Sequence, residues 1–316
     1  MFARSARVMT RRILLIANPS AAAGRASGRW EKLLGELQRR RLKADYVLTD
    51  RPRHAVELAK EAAGKYDVVA AAGGDGTVNE VANGLLLARA PGVLLGVIPL
   101  GTGNDVARMV GIVSVDDAIR ALAGGAPQSV DVIEVNCEES GGLATCYGLL
   151  YAAVGFTGAL LKCTTPPVKR LFGPRYCYMA GFFRALLSYE SPVMRVECDG
   201  DEFTGRMFLV SAGNAEIVGS GTMRLSPGAS IEDGKLNVNV VERMDRFEVA
   251  RWFPKLLTGT HTTHPKVHYL TASSVSIETR PPMELQLDGE LFGQTPATFT
   301  VKAGALEVIT GWGLAR

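Results

Sequence analysis

The sequence has only four histidines, five cysteines and almost no excess charge, with 35 Lys and Arg against 32 Asp and Glu. A net charge of +3 lacks the strong basic bias of general nucleic-acid binders, so no nucleic-acid partner is expected. The cysteines (Cys137, Cys146, Cys163, Cys177 and Cys198) show no C-x-x-C spacing and leave one unpaired, which fits a reduced, cytoplasmic compartment. A signal-peptide core is missing as well: the apolar run from Ile13 to Ala17 is too short and leads straight into Asn18-Pro19. One stretch, residues 141–161, is uncharged and long enough to span a bilayer, but it holds five glycines, two threonines and two tyrosines. It reads as strands and turns where the chain enters a second domain. No repeat or low-complexity linker occurs, and 47% apolar with 21% charged residues is an ordinary globular mixture.

With 316 residues the chain has room for two domains. Its first part alternates strand and helix: apolar runs at 12–17, 44–49, 67–72, 93–99 and 129–135, with helical stretches at 28–41, 54–65, 78–88, 105–109 and 115–123. Strands spaced by helices of this length imply right-handed crossovers and a parallel sheet. Beyond about residue 140 strand-like runs dominate. Met283, Leu285 and Leu287 alternate with Glu284, Gln286 and Asp288, the pattern of a half-buried antiparallel strand. A single helix is expected there, from Phe247 to Leu257. The fold class is therefore α/β plus all-β, with a parallel α/β domain over 1–138 and an antiparallel β domain over 139–316.

Parallel sheets bind ligands beyond the carboxyl ends of their strands. Three loops at such ends carry unusual residues: Asn18-Pro19-Ser20 onward, Gly73-Gly74-Asp75-Gly76-Thr77, and Gly101-Thr102-Gly103-Asn104-Asp105. Glycines let backbone N–H groups approach a phosphate, and the helix expected from Val78 adds its positive dipole end. A carboxylate amid phosphate-binding glycines would repel its ligand unless a cation lay between them, so Asp75 points to Mg²⁺ held partly through water. No G-x-x-x-x-G-K-[ST] or G-x-G-x-x-G is present, which excludes the usual P-loop and gives a dinucleotide dehydrogenase little support. A kinase also needs a group to orient and deprotonate the acceptor hydroxyl. Asp288-Gly289-Glu290, at the end of the amphipathic strand, is the best candidate, although D-G equally signals a turn. The spacing of His261, His264 and His268 suggests zinc, but Pro265 breaks any helix between them.

These pieces together resemble the bacterial diacylglycerol kinase family of lipid kinases, relatives of the sphingosine kinases, over nearly the whole chain. Gly73-Gly74-Asp75-Gly76-Thr77-Val78-Asn79-Glu80 looks like its nucleotide motif, and Gly101 through Arg108 like its second block. Leu48-Thr49 followed by His54-Ala55 resembles the second-strand segment, whose Thr contacts ATP. The resemblance implies an ATP-binding domain like that of phosphofructokinases and NAD kinases, then a β-sandwich whose last segment returns to the first domain, with catalysis in a cleft. It assigns Asn18, Thr49, Gly73, Gly74, Asp75, Gly76, Thr77, Asn79, Glu80, Thr102, Asn104 and Asp105 to ATP. Asp75 would hold the catalytic Mg²⁺ network, Asp105 would support it, and Asp288 or Glu290 would be the base. Asp131 would belong to a structural charge network.

Two positions depart from the family pattern. Ser20 is followed by Ala21, Ala22 and Ala23 before Gly24, where the family has an early glycine. In the family's second, structural Mg²⁺ site, Asp233 and the Lys235 carbonyl match, but Ser230 replaces an Asp, with Glu232 nearby. The resemblance implies a lipid substrate met at the membrane, with diacylglycerol first and a sphingoid base or a polyprenol behind it. An NAD kinase-like activity shares the G-G-D-G loop, while a nucleotide-binding module without turnover fits poorly with the intact acidic set. Residues 169–187 mix basic and aromatic side chains. Tyr176, Ala180, Phe183 and Leu187 share one helical face, suited either to a core or to a lipid surface. Basic residues also cluster at Arg4, Arg7, Arg11 and Arg12, and again at Arg39, Arg40, Arg41 and Lys43. These are solvated surface or attract anionic headgroups, in line with transient contact at the inner membrane face. An exposed sheet edge in the second domain makes a homodimer reasonable.

Overall fold

A computed structural model describes residues 11–19, 26–139, 141–164 and 180–313. The expectations for Arg4, Arg7, the loop from Ser20 to Arg25, Tyr176 and Cys177 lie outside those residues. The described chain forms two compact units, one from Met1–Thr102, Val110–Gln128 and Glu307–Arg316, the other from Gly103–Met109 and Ser129–Leu306. The boundary expected at residue 138 falls inside a strand, Pro127–Glu139.

In the first unit β1 (Ile13–Ala17), β2 (Asp45–Leu48), β3 (Val68–Gly73) and β4 (Leu94–Pro99) pair in parallel, in the order β4-β3-β1-β2. β1 and β3 are buried at every position, which is why each reads as one apolar run. The helices are α1 (Ala26–Arg39), α2 (His54–Ala62), α3 (Asp75–Ala88) and α5 (Val115–Gly124), with α4 (Asp105–Met109) counted in the second unit. Gly84 lets α3 approach α2 closely: a Cβ there would stand 2.5 Å from the Val56 carbonyl. The expected start of α3 at Val78 is three residues late, since the glycine pair is shorter than a full loop and the helix begins at Asp75.

The second unit is built from β5 (Pro127–Glu139), β6 (Gly142–Gly148), β7 (Tyr151–Gly155), β8 (Val193–Cys198), β9 (Asp201–Gly213), β10 (Leu236–Glu242), β11 (Val267–Ala272), β12 (Ser274–Arg280), β13 (Glu284–Leu287) and β14 (Glu290–Ile309). Where a two-layer sandwich was expected, the strands form an antiparallel, barrel-like sheet. Its pairings close a circuit, β7-β9-β8-β12-β14-β13 and back to β7. Length explains the closure. β9 has 13 residues and pairs β8 through its first half, β7 and β10 through its second. β14 has 20 and meets β13 near Glu290, then β12 near Phe299. Strands this long bend from one layer into the other and leave no gap between them. Phe299, Met194, Val196, Val210, Val238 and Ile277 fill the interior.

Three further expectations change. The uncharged stretch 141–161 is not all strand and turn: after β7 it turns into α6 (Phe156–Cys163). The single helix expected from Phe247 to Leu257 divides into α8 (Arg246–Trp252) and a 3₁₀ turn, because Pro254 cannot donate to the preceding turn. In α7, residues 180–188, Phe182, Ala185 and Leu186 are buried while Phe183 and Leu187 face outward. Among the described residues no helix is long and apolar enough to cross a membrane.

Candidate functional site

The parallel strands of the first unit end on one side, and backbone hydrogen bonds tie their exits together. Asn18 N donates to Ala72 O (3.2 Å), Thr49 N to Ala17 O (2.9 Å), and Leu100 N and Gly101 N both to Gly73 O (2.9 and 3.1 Å). Asn18, Thr49, Gly73, Gly74 and Gly101 thus lie side by side along one edge. α3 opens there with Gly74 as its N-cap and Asp75 in its first turn, and Gly74 offers no side chain to occupy the first N–H groups. A Cβ on Gly73 would collide with Thr77 Oγ1 (2.4 Å), and one on Gly74 would sit 3.4 Å from the Gly101 Cα. The result is a shallow backbone cradle at a helix N-terminus, the elementary form of a phosphate site.

The surrounding side chains hold this edge in place. Glu80 accepts from Arg53 N (3.1 Å) and Ala55 N (3.2 Å), so it caps α2 and fixes the turn that follows Thr49. Asn79 sits beside Asn83, whose amide donates to the Asn79 carbonyl and side chain (2.9 and 3.0 Å). Arg29 of α1 donates to the Leu100 and Gly101 carbonyls (2.9 and 3.1 Å), a cation at the third loop that sequence patterning missed. Its signal was a basic residue in the first turn of a helix, where the dipole disfavours one.

In the second unit each acidic residue has a distinct setting. Asp105 is buried and accepts from Ser220 N (2.8 Å), with Arg108 beside it at 3.3 Å, and so it pins the loop of Gly219, Ser220 and Gly221. Asp131 is also buried and caps Gly234 N (2.7 Å) and Gly304 N (2.8 Å). Near it, Asp233 turns back on Lys235 N (3.0 Å) and Ser230 accepts from Glu232 N (3.3 Å). Among the described residues no three or more His, Cys, Asp and Glu gather as a metal site. Asp233, Lys235 and Ser230, the residues of the expected structural ion site, lie in this hydrogen-bonded turn. His261 and His264 both line an apolar cavity, His264 also meeting Glu248 (3.2 Å), while His268 turns to Glu242 (2.8 Å).

Asp288 adopts a left-handed backbone (φ 47°) and accepts three amides, Leu149 N (2.7 Å), Leu150 N (2.8 Å) and Tyr151 N (3.0 Å). Glu290, two residues on, opens β14 and is exposed. Tyr151 and Gln286 link this corner to an apolar cavity of 170 Å³ within the unit. Phe156, Phe182, Phe208, Trp252 and Phe253 are among its walls, with Phe156 stacked on Phe208 at 4.6 Å and Phe182 tilted against Phe253 at 4.2 Å. Among the described residues Thr157 Oγ1, Asn239 Oδ1 and Gln286 Oε1 on that wall have no partner. Burial pushes the His261 imidazole below its ordinary pKa, so it stays neutral.

A family model for the diacylglycerol kinase catalytic domain matches residues 12–135, and one for the YegS C-terminal NAD kinase beta sandwich-like domain matches residues 166–310. The diacylglycerol kinase of Staphylococcus saprophyticus is 31% identical over 305 residues, covering 96% of each chain. The chain belongs to the diacylglycerol kinase family. Membership makes it an ATP-dependent kinase. Among solved structures, a protein of Bacillus anthracis strain Sterne provisionally called a diacylglycerol kinase superposes with a TM-score of 0.81 at 24% identity, covering 100% of both chains. Yeast NADH kinase, complexed with NADH, gives 0.50 at 9% identity, covering 95% of this chain and 83% of its own. Both likenesses concern the fold, and the second places the diacylglycerol kinase family near the NAD kinases in architecture.

Proposed function

We propose that the chain transfers the γ-phosphoryl group of ATP to the free hydroxyl of diacylglycerol, giving phosphatidic acid. The observation that carries this reading is the apolar cavity of the second unit, whose Tyr151 and Gln286 walls adjoin the Asp288-Gly289-Glu290 corner. An acyl chain fits such walls, and a hydroxyl at its head would lie by the carboxylates. The amide edge of Gly73, Gly74 and Gly101 takes the ATP phosphates, Thr49 and Asn18 flank it, and Arg29 and Glu80 position its loops.

The residues around Asp75 fit Mg²⁺. One carboxylate at the first turn of α3, beside glycines that leave space for phosphate oxygens, suits an ion that keeps several waters. When bound, Mg²⁺ neutralises charge on the β- and γ-phosphates. The chain's own groups supply the remainder. Asp288, with both oxygens engaged by backbone amides, is the orienting anchor of the corner, and Glu290 receives the hydroxyl proton as the acceptor oxygen attacks. Asp105 acts through the loop it pins.

The test is transfer of label from γ-labelled ATP with Mg²⁺ into diacylglycerol in mixed micelles, sphingosine, a polyprenol and NAD, run in parallel. Label in phosphatidic acid, lost in Glu290→Gln, is the expected result. Label in another lipid alone would replace the substrate, and label in NAD alone would overturn the lipid reading.

A further inference from the structure

The outer side of α7 and the first turn of α8 carry apolar side chains that stand exposed among the described residues. Phe247 is 88% exposed, Leu187 65% and Phe183 52%, although their neighbours Phe182, Leu186 and Val249 are buried in the cluster beneath. Isolated exposed apolar residues are common, but these three crown elements that share one hollow. It is lined by Tyr189, Glu190 and Ser191, which follow α7, and by Arg206 and the segment Arg243 to Phe247, which leads into α8.

Phe247 is held outward by a firm frame. Asp245 caps α8 through Phe247 N (2.9 Å) and Glu248 N (2.8 Å), and Glu248 in turn holds Lys266 at 2.7 Å. The capping box spends the acidic groups of this turn on the backbone. Arg206, Arg243 and Arg246 line the same hollow as the aromatic, and Arg184 follows Phe183 on α7; all four are exposed, and among the described residues none has a carboxylate within ion-pair distance, although Arg206 also donates to the Ser191 carbonyl (3.0 Å). Glu190 is the remaining acid on the hollow. Met244 lines both this hollow and the apolar cavity, so the surface and the cavity are neighbours through one side chain.

We propose that this face docks the kinase on an anionic phospholipid bilayer, with Phe247, Leu187 and Phe183 entering the interfacial layer and the four arginines meeting headgroup phosphates. Unpaired cations around protruding apolar side chains complement a surface that is negative outside and apolar beneath. Docking there would place the mouth beside Met244 at the lipid, which rests on the reading of the cavity as the acyl site. The docking itself does not depend on turnover.

The experiment is co-sedimentation of the full chain with vesicles of phosphatidylcholine alone or with phosphatidylglycerol added, at low and high salt. The wild type is expected to bind the anionic vesicles and to be released by salt. Arg243→Glu with Arg246→Glu should lower partitioning by at least about 25-fold, since each cation contributes about five-fold. Phe247→Ser should lower it by roughly ten-fold without altering salt sensitivity. Arg184→Glu, on the other helix, repeats the test should an α8 variant fold poorly. Unchanged binding in all of these variants, or wild-type binding that ignores lipid charge, overturns the proposal. So does self-association without vesicles that the same substitutions abolish, which would assign the face to a second copy. Anionic binding by a wild type that phosphorylates no lipid would keep the docking face and overturn only the substrate reading.

Discussion

Replacing Asp288 separates architecture from chemistry at the carboxylate corner. Its side chain accepts from Leu149, Leu150 and Tyr151 N–H at 2.7–3.0 Å, on a partly buried turn. In Asp288→Ala those three donors lose their acceptor, at about 1–3 kcal/mol each, with the lower half of that range apt where water can enter. Alanine also tolerates the left-handed backbone less well than Asp, by about 1 kcal/mol. The total is roughly 4–7 kcal/mol, a large part of a typical stability of about 5–15 kcal/mol. Thermal unfolding should fall by roughly 8–28 °C, taking about 2–4 °C per kcal/mol. Asp288→Asn keeps one carbonyl oxygen and should cost about 1–2 kcal/mol. Glu290→Gln, at an exposed position, should melt within about 0.5 kcal/mol of wild type while turnover falls roughly 10²- to 10⁴-fold. Scanning calorimetry with the labelled-ATP assay reads both quantities. An Asp288→Ala protein as stable as wild type but inactive would refute the anchoring role and move the base to Asp288.

Other perturbations address the nucleotide edge and the cavity. Gly74→Ala adds a Cβ 3.4 Å from Gly101, which the fold accepts, but it fills the cradle. KM for ATP should rise at least ten-fold with little change in melting, as steady-state kinetics would show. Glu80→Ala removes the cap on Arg53 and Ala55 N–H and should cost about 1–2 kcal/mol, with a higher KM for ATP as the Thr49 turn loosens. His261 is held neutral by burial, so the unfolded chain binds more protons than the folded one below the ordinary histidine pKa of about 6.5. Stability should therefore fall as pH drops through that value. His261→Leu should flatten the pH dependence of the denaturant midpoint, and an unchanged slope would exclude this residue. Asp75→Ala should abolish transfer in the label assay with the protein still folded, and wild-type rates would remove Asp75 from the mechanism.

The first unit was legible because β1, β3 and β4 are buried on both faces. Val68 to Ala72 can be little else than a covered strand, and the Gly-Gly-Asp-Gly that follows marks its ligand-binding end. The closed circuit of the second unit was not legible. β14 includes Gly293, Pro296 and Gly304 and alternates irregularly, so only its segment near Phe299 announced a strand. Which neighbour each half of β9 would meet depends on register, and no local pattern records that. At the site, residue types pointed to Asp75, Asp288 and Glu290, while the division between anchor and base needed the amides of Leu149, Leu150 and Tyr151. Arg29 escaped notice because its partners, the carbonyls of Leu100 and Gly101, have no sequence signature.

β14 passes from the second unit into the first, where Val308 aligns with Leu95, Thr310 N reaches Ala126 O (3.2 Å), Gly311 N reaches Val110 O (2.9 Å) and Trp312 packs on Gly111. During synthesis the edge of β4 must wait, apolar and unpaired, until nearly all of the second unit has left the ribosome. The first unit thus cannot be completed before nearly all of the second has been made. A nascent chain stalled before Glu307 would expose a sticky strand edge to chaperones, and cutting the gene at residue 128 would reproduce that unfinished state.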